Sequence, residues 1–344
     1  MKKIFPIIAF AFLLLSFFCP IIHFLILFSE ANPNCVRVGI FYYVWYNGTW
    51  ENYIVDKPIL GYYNSCEPNI INQHFKWFTE LKLDFVLISW WGIDNKTDKV
   101  TKEVFRIVDE NGNFSIKLAI LVEPFNETDN GYNFTQIYSY IYENFVEPYP
   151  YLYYKLNGKP LVCFFNDEYL TDHYNGEIPK DDRFTVKIVG TRKYVNWVHP
   201  CYNSFFWENE IPRERVYTIA PRYDDTRIPN RTGYVIDPDY SQGYYQKEWK
   251  KALNYAENSS LDIILINSWN EFAERTQIEP CRDATSIFSD SYHIFNLTKN
   301  YISELKNGVK EPSNWYDDPL IFVVIALLIL TVVIFKIIYD LAKR

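Results

Sequence analysis

Glycine is scarce in this sequence, 12 residues in 344, and no GxGxxG run follows any strand-like segment. That excludes the Gly-rich turn on which dinucleotide folds cradle a pyrophosphate. Cysteine is sparse too: there are six, with no CxxC pair and no Cys/His cluster, so nothing reads as a zinc site. His23 and His173 show no metal-ligand spacing either. Positive charge is not in excess, with 34 Lys and Arg against 42 Asp and Glu and a net charge of −8. The absence of a basic stripe argues against nucleic acid as a partner. No low-complexity linker interrupts the middle of the chain, which therefore reads as one large domain. No metal or organic cofactor is expected.

What the chain does have is apolar length at both ends. After Met1-Lys2-Lys3, residues 4–28 read IFPIIAFAFLLLSFFCPIIHFLILF. A basic start followed by such a run marks residues 1–30 as a signal peptide or a signal anchor. Residues 319–335, PLIFVVIALLILTVVIF, form a second run, followed by Lys336, Lys343 and Arg344. A bilayer needs ~20 apolar residues, so 319–340 reads as a transmembrane helix. Residues 309–318 are then a juxtamembrane linker and 341–344 a cytoplasmic basic tail. Basic flanks stay in the cytoplasm, which places residues 35–308 outside the cell or in the lumen of the secretory pathway. Sequons at Asn47, Asn95, Asn113, Asn126, Asn133, Asn230, Asn258 and Asn296 agree with a glycosylated exterior. In that oxidising setting Cys35, Cys66, Cys201 and Cys281 could form two disulfides, while Cys163, in LVCFF, reads as buried.

Between the ends, short apolar runs alternate with helical patterns. Strands are expected at 36–46, 84–92, 115–125, 160–167, 184–191, 204–209, 216–224 and 262–272. Several of them are continuously apolar, as parallel strands covered on both faces must be. Helices are expected from Pro68, with Ile71, Phe75, Phe78 and Leu81 on one face, and at 98–110, 134–146, 244–257 and 290–306. Eight strands alternating with helices predict an α/β fold, a single (β/α)8 TIM-type barrel flanked by N- and C-terminal transmembrane segments.

Chemistry in such a barrel collects where strands end. The first strand ends in Tyr42, Tyr43, Trp45 and Tyr46, and the second in Ser89, Trp90, Trp91 and Gly92. Glu123 ends the third, and Asn166, Asp167 and Glu168 the fourth. Arg222, Tyr223, Asp224 and Asp225 follow the seventh, and Trp269, Asn270, Glu271 and Glu274 the eighth. Aromatic rings, amides and carboxylates on one rim suit sugars: rings cover C–H faces, and amides and acids bind hydroxyls. Two carboxyl groups are the usual tools for cleaving a glycosidic bond, one protonated and one ionised. At any single ring, core packing is an equal alternative in a chain that is 19% aromatic. An unpaired Glu123 after AILV would cost several kcal/mol, so it has a partner or a task.

The segment NSWNEFAERTQIEP resembles the signature of glycoside hydrolase family 99, the endo-α-mannosidases. YYVWYNGTW, LGYYNSCEP, FVLISWWG, VEPF and APRYDDTRIPN are similar to that family's other motifs, in the same order. The resemblance implies a (β/α)8 barrel that cleaves internal α-mannosidic bonds with retention, the sugar's own 2-hydroxyl attacking through a 1,2-anhydro intermediate. It makes Glu271 the base for that hydroxyl and Glu274 the acid. It also makes Tyr46, Trp91, Glu123 and Asn270 lining residues of the sugar subsites, to which Trp90 and Tyr223 are added from their place on the rim. Three positions depart from the family: Ala273 stands for its His, Arg275 for its Gly and Phe272 for its Trp. Ala273 resembles instead the related WbsX-type proteins of glycan-assembly clusters. Arg275 could bind an acidic sugar, pair with Glu274 or point to solvent.

The function expected is a retaining, endo-acting, membrane-anchored glycoside hydrolase that takes an oligosaccharide or polysaccharide with α-mannose-type linkages. The rivals are a WbsX-like glycosyltransferase, revealed by donor-dependent product growth, and a non-catalytic glycan-binding surface protein. In the latter, binding would survive loss of both glutamates.

Overall fold

Eight short strands, all parallel to their neighbours, carry the architecture: β1 (Arg37–Tyr43), β2 (Phe85–Trp90), β3 (Lys117–Val122), β4 (Lys159–Asn166), β5 (Thr185–Gly190), β6 (Trp197–Val198), β7 (Val216–Ile219) and β8 (Ile263–Ile266). The computed structural model describes residues 36–124, 133–166, 177–190, 195–199, 212–231, 233–308 and 336. Both expected membrane spans lie outside these residues. Among the described residues, no helix is long and apolar enough to cross a membrane.

Hydrogen bonding runs in the order β6-β5-β4-β3-β2-β1-β8-β7. The ring is completed between its two ends by the Thr218 hydroxyl of β7, which donates to the Val198 carbonyl of β6 at 2.6 Å. This is the eight-stranded parallel barrel expected, nearly closed. Burial explains the sequence pattern. All six residues of β2, and every residue of β1 after Arg37, are buried, because side chains alternate between the barrel interior and the helical layer. Gly39 reflects the same crowding: a Cβ there would come within 2.4 Å of the Phe85 ring on the neighbouring strand.

The helices are α1 (Pro68–Glu80), α2 (Lys96–Asn111), α3 (Phe134–Ile141), α4 (Tyr244–Glu257) and α5 (His293–Gly308). Pro68 starts α1, where its missing N–H costs nothing. The expected face of α1, Ile71, Phe75, Phe78 and Leu81, is buried in the core. Each such side chain contributes about 1.5–3 kcal/mol of hydrophobic stabilisation. In α2, the Asn95 carboxamide accepts from the Thr97 N–H, and Gly112 closes the helix in the left-handed region at φ 62°. A π turn over Tyr142–Val146 replaces the last part of the expected third helix.

Two strand expectations need correction. The sixth barrel strand is Trp197–Val198, and the run at 204–209 expected in its place lies outside the described residues. The apolar run 216–224 is not one strand. It stops at Ile219 because Pro221 cannot donate to a ladder, and Tyr223–Asp224 pairs separately with Val235–Ile236. A second antiparallel pair joins Lys57–Pro58 to Cys281–Arg282, and the Asp224 N–H donates to the Glu274 carbonyl at 3.0 Å, so the loops after β1, β7 and β8 are laced together at one end of the barrel.

Candidate active site

The chain leaves β8 at Ile266 and folds back on itself before it reaches the two glutamates. Ser268 N–H donates to the Thr276 carbonyl at 2.9 Å, and Ile278 N–H donates to the Ser268 carbonyl at 3.0 Å. Thr276 N–H donates to the Glu271 carbonyl, and the Glu271 N–H donates to the Ser268 hydroxyl at 2.8 Å. The result is a closed turn, not a helix, that presents Glu271 and Glu274 from a fixed backbone.

Asn270 ties this turn to the end of β1. Its carboxamide accepts from the Tyr43 N–H at 2.9 Å and donates to the Tyr43 carbonyl at 2.8 Å, as another rung of a ladder would. It also donates to the Tyr63 hydroxyl, and its own carbonyl accepts from the Tyr46 hydroxyl at 2.7 Å. Tyr63 in turn donates to Glu279 at 2.7 Å, behind the site.

Glu271 and Glu274 are only 5% and 9% exposed. Burial, then the neighbouring Glu274 carboxylate, pushes the Glu271 carboxyl well above the usual range, against the backbone N–H of Ala273 that donates to it at 3.0 Å. Burial also raises Glu274, but here Arg231 opposes it, with Nη1 2.9 Å from Oε1. The same guanidinium lies 3.3 Å from the Tyr223 hydroxyl and 3.5 Å from Asp225. Glu123, at the end of β3, is pushed up to about 7 by burial and by Glu274, while the Ser89 hydroxyl donates to it at 2.7 Å. Three buried carboxyl groups thus converge with one guanidinium, and their proton affinities are spread apart.

The expected site residues divide. Glu123, Tyr223, Glu271 and Glu274 come together, as their electrostatic coupling and hydrogen bonds require. Trp91 is half-buried beside Trp45, ring centroids 6.4 Å apart, and its indole N–H has no partner among the described residues. Tyr46 is buried beneath Trp50, stacked at 3.9 Å, with its hydroxyl given to Asn270. Asn270, expected to line a sugar subsite, has both carboxamide atoms engaged inside the protein. Trp90 is a correction: it is fully buried, its indole donates to Asp98 of α2, and it stacks on Tyr140. Strand alternation is the reason, since Ser89 faces the barrel interior and Trp90 must then face the helices. Asp167 and Glu168 lie outside the described residues.

Arg275 fits none of its three expected roles. It is 2% exposed at φ 58°, and its guanidinium pairs with Asp56, Asp224 and Asp283, turned away from Glu274. Sequence reasoning missed Arg231, and Asp225 as its second partner. Arg231 falls one residue beyond the APRYDDTRIPN motif and carried no signal of its own. Cys66 and Cys281 are free thiols, so the four cysteines that could have made two disulfides do not make both; Cys35 and Cys201 lie outside the described residues. Buried Cys163 is as expected. Among the described residues no group of His, Cys, Asp and Glu could hold a metal ion.

Comparison with known proteins finds two family models in succession. The glycosyl hydrolase family 99 model matches residues 51–177, and the glycosyltransferase WbsX model matches residues 166–290. A glycoprotein endo-alpha-1,2-mannosidase of Mus musculus is 25% identical over 280 residues, which is 68% of this chain and 59% of that protein. The chain thus spans less than two thirds of that relative's length. A protein of the same name from Xenopus laevis is 28% identical over 324 residues, 73% of this chain and 71% of that one. Among solved structures, the GH99 endo-alpha-mannosidase from Bacteroides thetaiotaomicron superposes with a TM-score of 0.59 at 20% identity, covering 79% of this chain and 97% of that chain. That likeness carries the fold.

Proposed function

From a chain related to glycosyl hydrolase family 99, we propose a retaining, endo-acting glycoside hydrolase that cleaves α-mannose-type linkages within a glycan. The observation that carries this reading is the pair of buried carboxyl groups, Glu271 and Glu274, on one rigid turn, of which, among the described residues, Glu274 alone is paired with a guanidinium. Two like groups made unlike by their surroundings are what acid–base cleavage of a glycosidic bond needs.

In the proposed reaction, Glu271 takes the proton of the sugar's 2-hydroxyl as that oxygen attacks C1. Glu274 gives its proton to the departing glycosidic oxygen, and a 1,2-anhydro sugar results. Glu274, now a carboxylate, takes a proton from water as the water oxygen attacks C1. The C1–O2 bond breaks, and O2 recovers its proton from Glu271. Two inversions give net retention, and both glutamates return to their starting states. Glu123 and Tyr223, which lie beside Glu274, would contact sugar hydroxyls, and the Trp91 ring would cover a sugar face. No cofactor enters.

Incubation of the chain with α-mannan and mannose-rich N-glycans, followed by mass spectrometry, tests the reading. Glu274→Gln and Glu271→Gln should each lower the rate of oligosaccharide release by about 10²–10⁴-fold. Wild-type protein that folds and releases nothing from either substrate would refute it. The WbsX match over residues 166–290 supports a second reading, a glycosyltransferase on the same barrel, which would require an activated sugar donor and lengthen its acceptor.

The location proposed is a membrane-anchored chain with the barrel outside the cell or in a secretory-pathway lumen. Its support is the two apolar runs and the sequons: Asn47, Asn95, Asn113, Asn133, Asn230, Asn258 and Asn296 are all exposed. Loss of mass on enzymatic deglycosylation of the native protein is the check.

A further inference from the structure

The reaction above needs Glu271 as a carboxylate and Glu274 protonated, yet the Arg231–Glu274 ion pair favours the opposite. Arg231 Nη1 sits 2.9 Å from Glu274, a distance at which a guanidinium holds a carboxylate in its charged form. Glu271, by contrast, is served by backbone N–H donors at the turn. We propose that Arg231 is a positioning residue that decides which of the two glutamates carries the proton they share: seated on Glu274 it leaves the proton on Glu271, and when glycan binds it moves to Asp225, so that the proton passes to Glu274.

A second seat already exists. Asp225 Oδ2 is 3.5 Å from the same nitrogen, and the Tyr223 hydroxyl is 3.3 Å away. The Arg231 side chain is one-third exposed, whereas Asp225 is buried and fixed by accepting the Tyr234 N–H at 2.6 Å. The guanidinium can therefore pivot about an anchored carboxylate. The groups within electrostatic reach of Glu274 are Glu271 from its own turn, Glu123 from β3, Tyr223 and Asp225 after β7, and Arg231 itself; Tyr46 and Tyr53, after β1, lie within reach of Glu271. Among these charged groups Arg231 is the one cation against four carboxyl groups. Its position, more than that of any neighbour, sets which carboxyl group is ionised. Nothing is consumed in the switch: one proton leaves Glu271, one arrives at Glu274, and the charge of the site is unchanged.

This inference rests on the two-glutamate reading, but its test does not depend on turnover. Full-length protein labelled at glutamate carboxyl carbons is titrated by NMR, with Glu271 and Glu274 assigned from their Gln variants. In the wild type, Glu274 should ionise at lower pH than Glu271. In Arg231→Gln, Glu274 should rise by about one pH unit or more, a tenfold change in proton affinity, and the order should close or invert, while Arg231→Lys keeps it. Saturating α-mannan oligosaccharides should raise Glu274 in the wild type by a similar amount and do nothing further in Arg231→Gln. In activity, Arg231→Gln should move the alkaline limb of kcat/KM upward, a change a merely structural role would not produce. An unchanged order in Arg231→Gln overturns the proposal. If the order shifts but no glycan is cleaved, the proton assignment stands and the hydrolase reading fails.

Discussion

One peptide bond separates two charged clusters of opposite character. On one side of it, Glu274 joins Glu271, Glu123 and Asp225 around the guanidinium of Arg231. On the other, Arg275 joins Arg222 among Asp56, Asp224 and Asp283. The second cluster is close to balanced, and its members are saturated with partners. Asp56 alone accepts from Arg222, Arg275, Gln277 and the Ala284 N–H, at 2.7 to 3.1 Å. Among the described residues, the first cluster sets four buried carboxyl groups against one guanidinium that is itself one-third exposed. Satisfied charge holds the rim loops in place; unsatisfied charge, held on that frame, is available for chemistry.

The clusters should therefore answer the same kind of substitution in opposite ways. The largest effect is expected at Asp56. Burial alone would raise its carboxyl, but Arg222 and Arg275 more than offset this and hold it below the usual carboxylate range. Its stabilising contribution is present above the unfolded-state value and is lost as pH falls through the lower folded-state value. Asp56→Asn leaves two buried guanidinium groups short of their shared counter-charge, a loss of about 3–5 kcal/mol. Chemical unfolding at pH 7 measures it. A loss under about 1 kcal/mol would mean that Asp224 and Asp283 suffice and that the two clusters differ less than their geometry indicates.

In the other cluster, Glu271→Gln should stabilise. The amide oxygen can still accept the Ala273 N–H, and the charge opposed to Glu274 is gone. The gain should be about 2 kcal/mol at pH 8 and close to none at pH 4, in the same unfolding measurement. This holds whichever glutamate carries the proton, because burial raises both carboxyls above their ordinary range and the unfolded chain does not. Destabilisation at pH 8 would show that the Glu271 carboxylate has partners equal to those of Asp56.

The contrast also shows why the sequence was readable in some places and not in others. Barrel strands were legible because both of their faces are covered, which leaves continuous apolar runs such as FVLISW and IILI. The face of α1 was legible from its spacing alone. Glu271 and Glu274 stood out as charges at the end of such a run. What spacing could not give was direction. Trp90 and Trp91 are adjacent, and only the alternation of β2 decides that Trp90 enters the helical layer. Glu274 and Arg275 are adjacent, and only the positive φ at Arg275 turns the guanidinium away from the carboxylate. Arg231 was invisible because its partner lies 43 positions away in sequence.

The last test reads a slope with pH in place of a single difference. Burial first, and Glu274 after it, raise the Glu123 carboxyl from 4.5 to about 7. An acid whose folded-state value is raised binds its proton more tightly when folded. Stability from this group is thus complete below about pH 4.5 and declines as pH rises toward 7, the reverse of the behaviour expected at Asp56. Across that window the wild type should lose about 1 kcal/mol per pH unit through Glu123, and Glu123→Gln should remove that part of the slope while leaving the acid limb set by Asp56 unchanged. Unfolding curves collected from pH 4 to 8 for both proteins measure the difference. If the slopes coincide, Ser89 is holding Glu123 as a carboxylate as effectively as Arg222 and Arg275 hold Asp56, and a single neutral hydroxyl would then be matching two cations.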